Sequence, residues 1–211
     1  AVAAALADGA MYNAGQSCCS VERIYVHEAV HDDFVKALTD AARALPMGNP
    51  NDPNTYLGPL ALPSQPKFLQ GQVDDAVSKG AAIHCGGELL PDMPRFYPPT
   101  VVSRADHTMD LMVDESFGPI VGVMKVGSDE EAVAGMNDSE FGLTAGVWSR
   151  DQKRAESILA RVNSGTAYWN CCDRVSPYLP WSGRQGSGVG VTLSTMGIEA
   201  FTQCKAYHLR K

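Results

Sequence analysis

The chain has 211 residues, 45% apolar and 19% charged, and 17 Lys and Arg against 24 Asp and Glu give a net charge of −7. That composition fits a globular chain with one sizeable core, and the acidic balance disfavours a nucleic-acid backbone or an anionic membrane as partner. No apolar run approaches the ~20 residues that span a bilayer; the apolar start Ala1–Leu6 lacks a basic flank and meets Asp8, so it reads as helix rather than signal peptide.

Residues 1–12 form an alanine-rich helical pattern, with Gly9 as a candidate end. Residues 22–27 alternate and carry β-branched and aromatic types, which predicts a strand. A helix is expected over 30–45, with Val30, Phe34, Leu38, Ala41 and Leu45 on its apolar face. The Pro- and Gly-rich stretch 46–60 excludes regular structure. A helix over 64–79 follows, with Ser64 as N-cap, Leu69, Val73, Ala76 and Val77 inward, and Gly80 past its end. Strands are expected at 81–85, 97–102 and 120–126. Ser128-Asp-Glu-Glu131 spells a capping box and opens the next helix. A strand at 143–148, a helix at 151–162 and a strand at 165–170 complete the regular part. Beyond 173 regularity fades among prolines and glycines, and Cys204–Leu209 could form a last edge strand. This alternation predicts an α/β fold with a mostly parallel sheet flanked by helices.

The six cysteines, at 18, 19, 85, 171, 172 and 204, form two adjacent pairs and two singletons. They make neither a disulfide framework nor a Cys-x-x-Cys zinc pattern, which favours a reducing, cytoplasmic compartment. The five histidines show no metal spacing, so no metal is expected.

Chemistry concentrates at Asn13-Ala14-Gly15-Gln16-Ser17-Cys18-Cys19, which runs into the apolar Ile24-Tyr25-Val26. A glycine permits a close turn, and a thiol held at the end of a rigid element suits a nucleophile. By itself a cysteine is more often a small buried apolar residue. The wording Asn-x-Gly-Gln-x-Cys, however, resembles the active-site segment of the aldehyde dehydrogenase superfamily, and the resemblance makes Cys18 the nucleophile; Cys19 matches no family role. Glu115-Ser116-Phe117-Gly118-Pro119 resembles the same family's Glu-x-Phe-Gly-Pro element. There the glutamate holds the nicotinamide ribose hydroxyls and the phenylalanine supports the ring. Further family-like stretches are Asn137…Phe141-Gly142-Leu143, Gly165-Thr166…Asn170 and Pro180-Trp181-Ser182-Gly183-Arg184. They place Asn170, Cys171 and Trp181 along the implied substrate tunnel. One departure is Val191-Thr192, where the family usually has Arg-Glu.

The resemblance implies a catalytic domain over residues 1–200 and a tail, 201–211, that pairs with another subunit through a C-terminal oligomerisation strand. It also implies NAD or NADP as cofactor and a small-molecule aldehyde as substrate. The reaction implied is thiolate addition to the aldehyde, hydride loss to the nicotinamide and hydrolysis of the thioester. The family's general-base glutamate, oxyanion asparagine, phosphate-proximal lysine and Rossmann-like NAD-binding domain lie upstream of the cysteine. None is assigned here, so the N-terminal NAD-binding domain is expected to be absent and the chain to be incompetent alone. The competing expectations are a non-catalytic orphan that keeps the fold, and a slow Cys18-dependent esterase.

Overall fold

The computed structural model describes residues 1–172 and 174–211. In chain order they form α1 (Val2–Met11), β1 (Arg23–His27), α2 (His31–Arg43), α3 (Gln65–Ser78), β2 (Ala82–Cys85) and β3 (Thr100–Ser103), followed by β4 (Ile120–Val126), α4 (Asp129–Asn137), β5 (Thr144–Val147), α5 (Gln152–Leu159), β6 (Thr166–Trp169) and α6 (Ser194–Glu199). Four strands make one sheet in the order β1-β4-β3-β2. The pairs β1·β4 and β4·β3 are parallel, and β2 closes the far edge antiparallel to β3. The strands β5 and β6 pair parallel in a second, two-stranded sheet.

Apolar side chains cover both faces of the larger sheet. On one, Leu6, Ala10 and Met11 of α1 and Val35, Leu38 and Ala42 of α2 pack with Ile24, Val26, Val101, Val121 and Val123. On the other, Leu69, Val73 and Ala76 of α3 pack with Tyr97, Val102, Leu111, Met112 and Ile120. Burial on both faces explains why β4 reads Ile-Val-Gly-Val-Met-Lys-Val rather than alternating with polar residues.

Helix ends follow local chemistry. Ser128 accepts from the Glu131 N–H at 3.1 Å, and the Glu131 carboxylate returns to the Gly127 N–H at 2.7 Å. Asp151 caps α5 through the Arg154 N–H at 3.1 Å. Asn137 joins α4 to the end of α5, donating to the Arg161 carbonyl at 2.9 Å and accepting from the Asn163 N–H at 2.8 Å.

Several expectations need correction. Gly9 does not end α1 but lies inside it, where the Cys172 thiol approaches so closely that a Cβ would sit 2.5 Å from Sγ. The buried stripe of α2 is centred on Val35, Leu38 and Ala42, whereas Val30 is exposed, because a short 3-10 turn over Glu28–Val30 delays the helix. Val77 also faces outward, and Gln72 takes the inward position. Ser64 stands at the start of α3 without a side-chain cap bond. The strand expected over 97–102 begins only at Thr100, past the prolines that lack a ladder N–H. The short helix α6 falls in the stretch whose prolines and glycines suggest no regular element. Residues 201–211 are exposed and form no strand within the chain; the strand expected there is one that pairs with another subunit, outside this chain.

Candidate active site

Past Met11 the chain reverses through Tyr12–Gly15, with Asn13, Ala14 and Gly15 all left-handed at φ 51°, 55° and 71°. The motif's amides hold this costly turn. Asn13 Nδ2 donates to the Gln16 carbonyl at 2.8 Å and Gln16 Nε2 returns to the Asn13 carbonyl at 3.0 Å. Gln16 Oε1 also accepts from the Ala61 N–H at 2.7 Å, fastening the turn to the Pro- and Gly-rich connection. Ser17 faces inward, hydrogen-bonded to the Tyr12 hydroxyl and 3.4 Å from Cys19 Sγ. Cys19 is therefore buried and Cys18 exposed.

The second motif turn leans directly on the first. A Cβ on Gly15 would lie 2.1 Å from the Gly118 carbonyl oxygen, and a Cβ on Gly118 would strike Leu69 at 2.4 Å. Between the turns stands Glu22, four residues past the thiol. Its two carboxylate oxygens accept from the Ser116 and Phe117 N–H groups, each at 3.1 Å. Gln65 Nε2 donates to the Ser116 carbonyl at 2.7 Å, and Arg23 donates to the Val113 and Asp114 carbonyls at 3.0 and 3.1 Å. Phe117 is left-handed at φ 48° and its side chain is partly exposed. Desolvation pushes the Glu22 carboxyl up from its ordinary value, against the opposing pull of the Phe117 and Ser116 hydrogen bonds and of Arg23. Glu22 stands beside the thiol motif in the sequence, but only the fold shows that it reaches the other turn.

Cys18, Glu22, Glu115 and Asn170 line one cleft of about 1650 Å³ that separates β1 from the β5–β6 sheet. That is roomier than the ~300–1,000 Å³ of a typical small-ligand pocket. The Glu115 carboxylate is exposed and makes no hydrogen bond or ion pair with any described residue. A carboxylate with open lone pairs in the thiol's cleft suits a ligand diol such as a ribose.

Not every expected site residue joins this cleft. Phe117 sits on the turn behind Glu115 without lining it. Asn170 lines it, but its amide is engaged at both ends by Ser149, accepting from N and donating to O at 3.0 Å each. Cys171 lines a smaller pocket of about 220 Å³ with Asp8, Gly9 and Arg174. Trp181 lines neither; its backbone pairs with that of Thr192 at 2.8 and 2.9 Å. Among the described residues no His, Cys, Asp and Glu cluster could hold a metal ion, and no helix is long and apolar enough to cross a membrane.

Comparison with known proteins identifies the family and the fold. The aldehyde dehydrogenase family model matches residues 1–207. A succinate-semialdehyde dehydrogenase [NADP(+)] of Mycobacterium tuberculosis is 37% identical over 197 residues, covering 93% of this chain and 43% of that protein. Lactaldehyde dehydrogenase from Escherichia coli superposes with a TM-score of 0.94 at 29% identity, over 99% of this chain and 44% of its own. Betaine aldehyde dehydrogenase from Staphylococcus aureus, solved in complex with NAD+, gives 0.89 at 30% identity, over 94% and 40%. The chain thus spans less than half the length of the relatives it matches. With its family model matched almost end to end and both motif turns in contact, the chain belongs to the aldehyde dehydrogenase family.

Proposed function

We propose that this chain supplies the nucleophile and part of the nicotinamide-side contact for NAD- or NADP-dependent oxidation of an aldehyde to a carboxylic acid. The observation that carries this reading is the contact between the Cys18 turn and the Glu115–Gly118 turn, with Cys18 and Glu115 facing one cleft. Cys18 Sγ, as thiolate, attacks the aldehyde carbon and forms a thiohemiacetal, and backbone N–H groups of its turn stabilise the developing oxyanion. A bound nicotinamide nucleotide supplies the hydride acceptor. Glu115 holds the ribose hydroxyls, and Phe117 backs the turn that presents it. Water, activated by a carboxylate base outside the assigned residues, then releases the acid from the thioester. Of the residues expected on the substrate side, Asn170 is proposed to act by fixing the wall of the cleft, which Cys171 and Trp181 do not line.

The aldehydes named for the relatives differ among succinate semialdehyde, lactaldehyde and betaine aldehyde, so the reading commits to the aldehyde group alone. The cysteine pattern, two adjacent pairs and two singletons with no disulfide framework in the spacing, supports a reducing, cytoplasmic setting. Exposed Phe201, Tyr207 and Leu209 support pairing of the tail with another subunit. The test joins this chain to the part of the mycobacterial relative that it does not match and follows aldehyde-dependent NAD(P)H formation. Turnover is expected in the joined protein and not in the chain alone; no turnover in the joined protein would overturn the reading.

A further inference from the structure

The Ser116 and Phe117 N–H groups are successive, and Phe117 is left-handed, the arrangement in which neighbouring amides converge on an anion. Here the anion is internal: both oxygens of Glu22 occupy the concavity, each 3.1 Å from one amide. A carboxylate is expensive to enclose unless its lone pairs are used, and a left-handed phenylalanine is strained unless something holds it. Each costly feature compensates the other. Glu22 also leads into the strand entered directly from the thiol turn. It therefore joins the two turns, by four residues of backbone from Cys18 and by two hydrogen bonds to the turn bearing Glu115 and Phe117. The neighbouring Arg23 donates to the Val113 and Asp114 carbonyls, so both oxygens of the Glu22 carboxylate are left to accept from the amides of 116 and 117.

We propose that Glu22 is a positioning residue: its carboxylate fixes the Glu115–Gly118 turn in register with the Cys18 thiol, and so governs nucleotide binding without touching the reacting atoms. This rests on the proposed NAD(P)-dependent reading. The charged groups facing Glu22 are Arg23 next to it in the chain and Glu115 on the turn.

Two measurements test it. In nitrogen-labelled chain, the Ser116 and Phe117 amide resonances should titrate together, and Glu115→Gln should leave that titration in place while Glu22→Gln removes it. In the joined, active protein, Glu22→Gln offers an oxygen to one amide and an NH₂ to the other. Loss of a charge-assisted bond should raise KM for the nucleotide about tenfold or more, with kcat and the Cys18 alkylation rate little changed; Glu22→Asp, which keeps the charge, should recover part of the loss. Amides that do not titrate in the unsubstituted chain, an unchanged nucleotide KM, or a uniform loss of nucleotide affinity, kcat, alkylation rate and melting temperature would each overturn the proposal. Should Glu22→Gln fail to fold, the titration of the unsubstituted chain decides. Retained activity in Cys18→Ala would instead overturn the underlying reading, whatever the amides do.

Discussion

Gly15 and Gly118 meet backbone to backbone: a Cβ on Gly15 would lie 2.1 Å from the Gly118 carbonyl oxygen. The two motif turns, far apart in sequence, are one structural unit. Their glycines permit an approach that no side chain would allow, and Gly15 is also left-handed at φ 71°.

Gly15→Ala is therefore expected to destabilise the chain by about 2 kcal/mol or more and to slow alkylation of Cys18. Gly71 is the control. It lies in α3, where an added Cβ would meet nothing within 4 Å, so Gly71→Ala should stabilise by roughly 0.5–1 kcal/mol. Thermal or urea unfolding of the two variants reads the opposite signs.

Leu69 is fully buried and supports Gly118 from below. Leu69→Ala should cost about 2–5 kcal/mol. It should also loosen the Glu115–Gly118 turn, seen as faster amide exchange at Ser116 and Phe117 than at residues of β4.

The Glu22 carboxyl is raised in the folded chain by desolvation. An acid so raised binds its proton more tightly when folded than when unfolded. Its stabilising contribution is full below the unfolded value and is lost as pH rises through the folded one. Unfolding free energy measured against pH should fall across that window in the unsubstituted chain, and this component should be missing in Glu22→Gln.

Ser128 caps α4 through a single bond to the Glu131 N–H. Ser128→Ala should lower stability by about 1 kcal/mol, read as a lower urea midpoint with an unchanged slope.

Much of this is legible in the residues. Period and composition place α3, β4 and the Ser128 cap because those signals are local: an apolar stripe, an unbroken apolar run, a serine three residues before a glutamate. The α2 face is harder to place because the Glu28–Val30 turn shifts the helix start, and nothing in the spacing of Val30, Phe34 and Leu38 reports such a turn. At the site, the motifs point to Cys18 and Glu115. They do not show that Glu22 spans from one turn to the other, that Asn170 is held by Ser149, or that Trp181 lies away from the cleft, since each depends on long-range packing.

Cys18, exposed at its turn, is proposed to carry the chemistry, while the adjacent Cys19 is buried beside Tyr12 and Ser17. Aldehyde-dependent NAD(P)H formation in the joined protein, compared between Cys18→Ala and Cys19→Ala, tests this most directly. Turnover should be abolished in the first and substantially kept in the second; turnover surviving in Cys18→Ala would contradict the assignment.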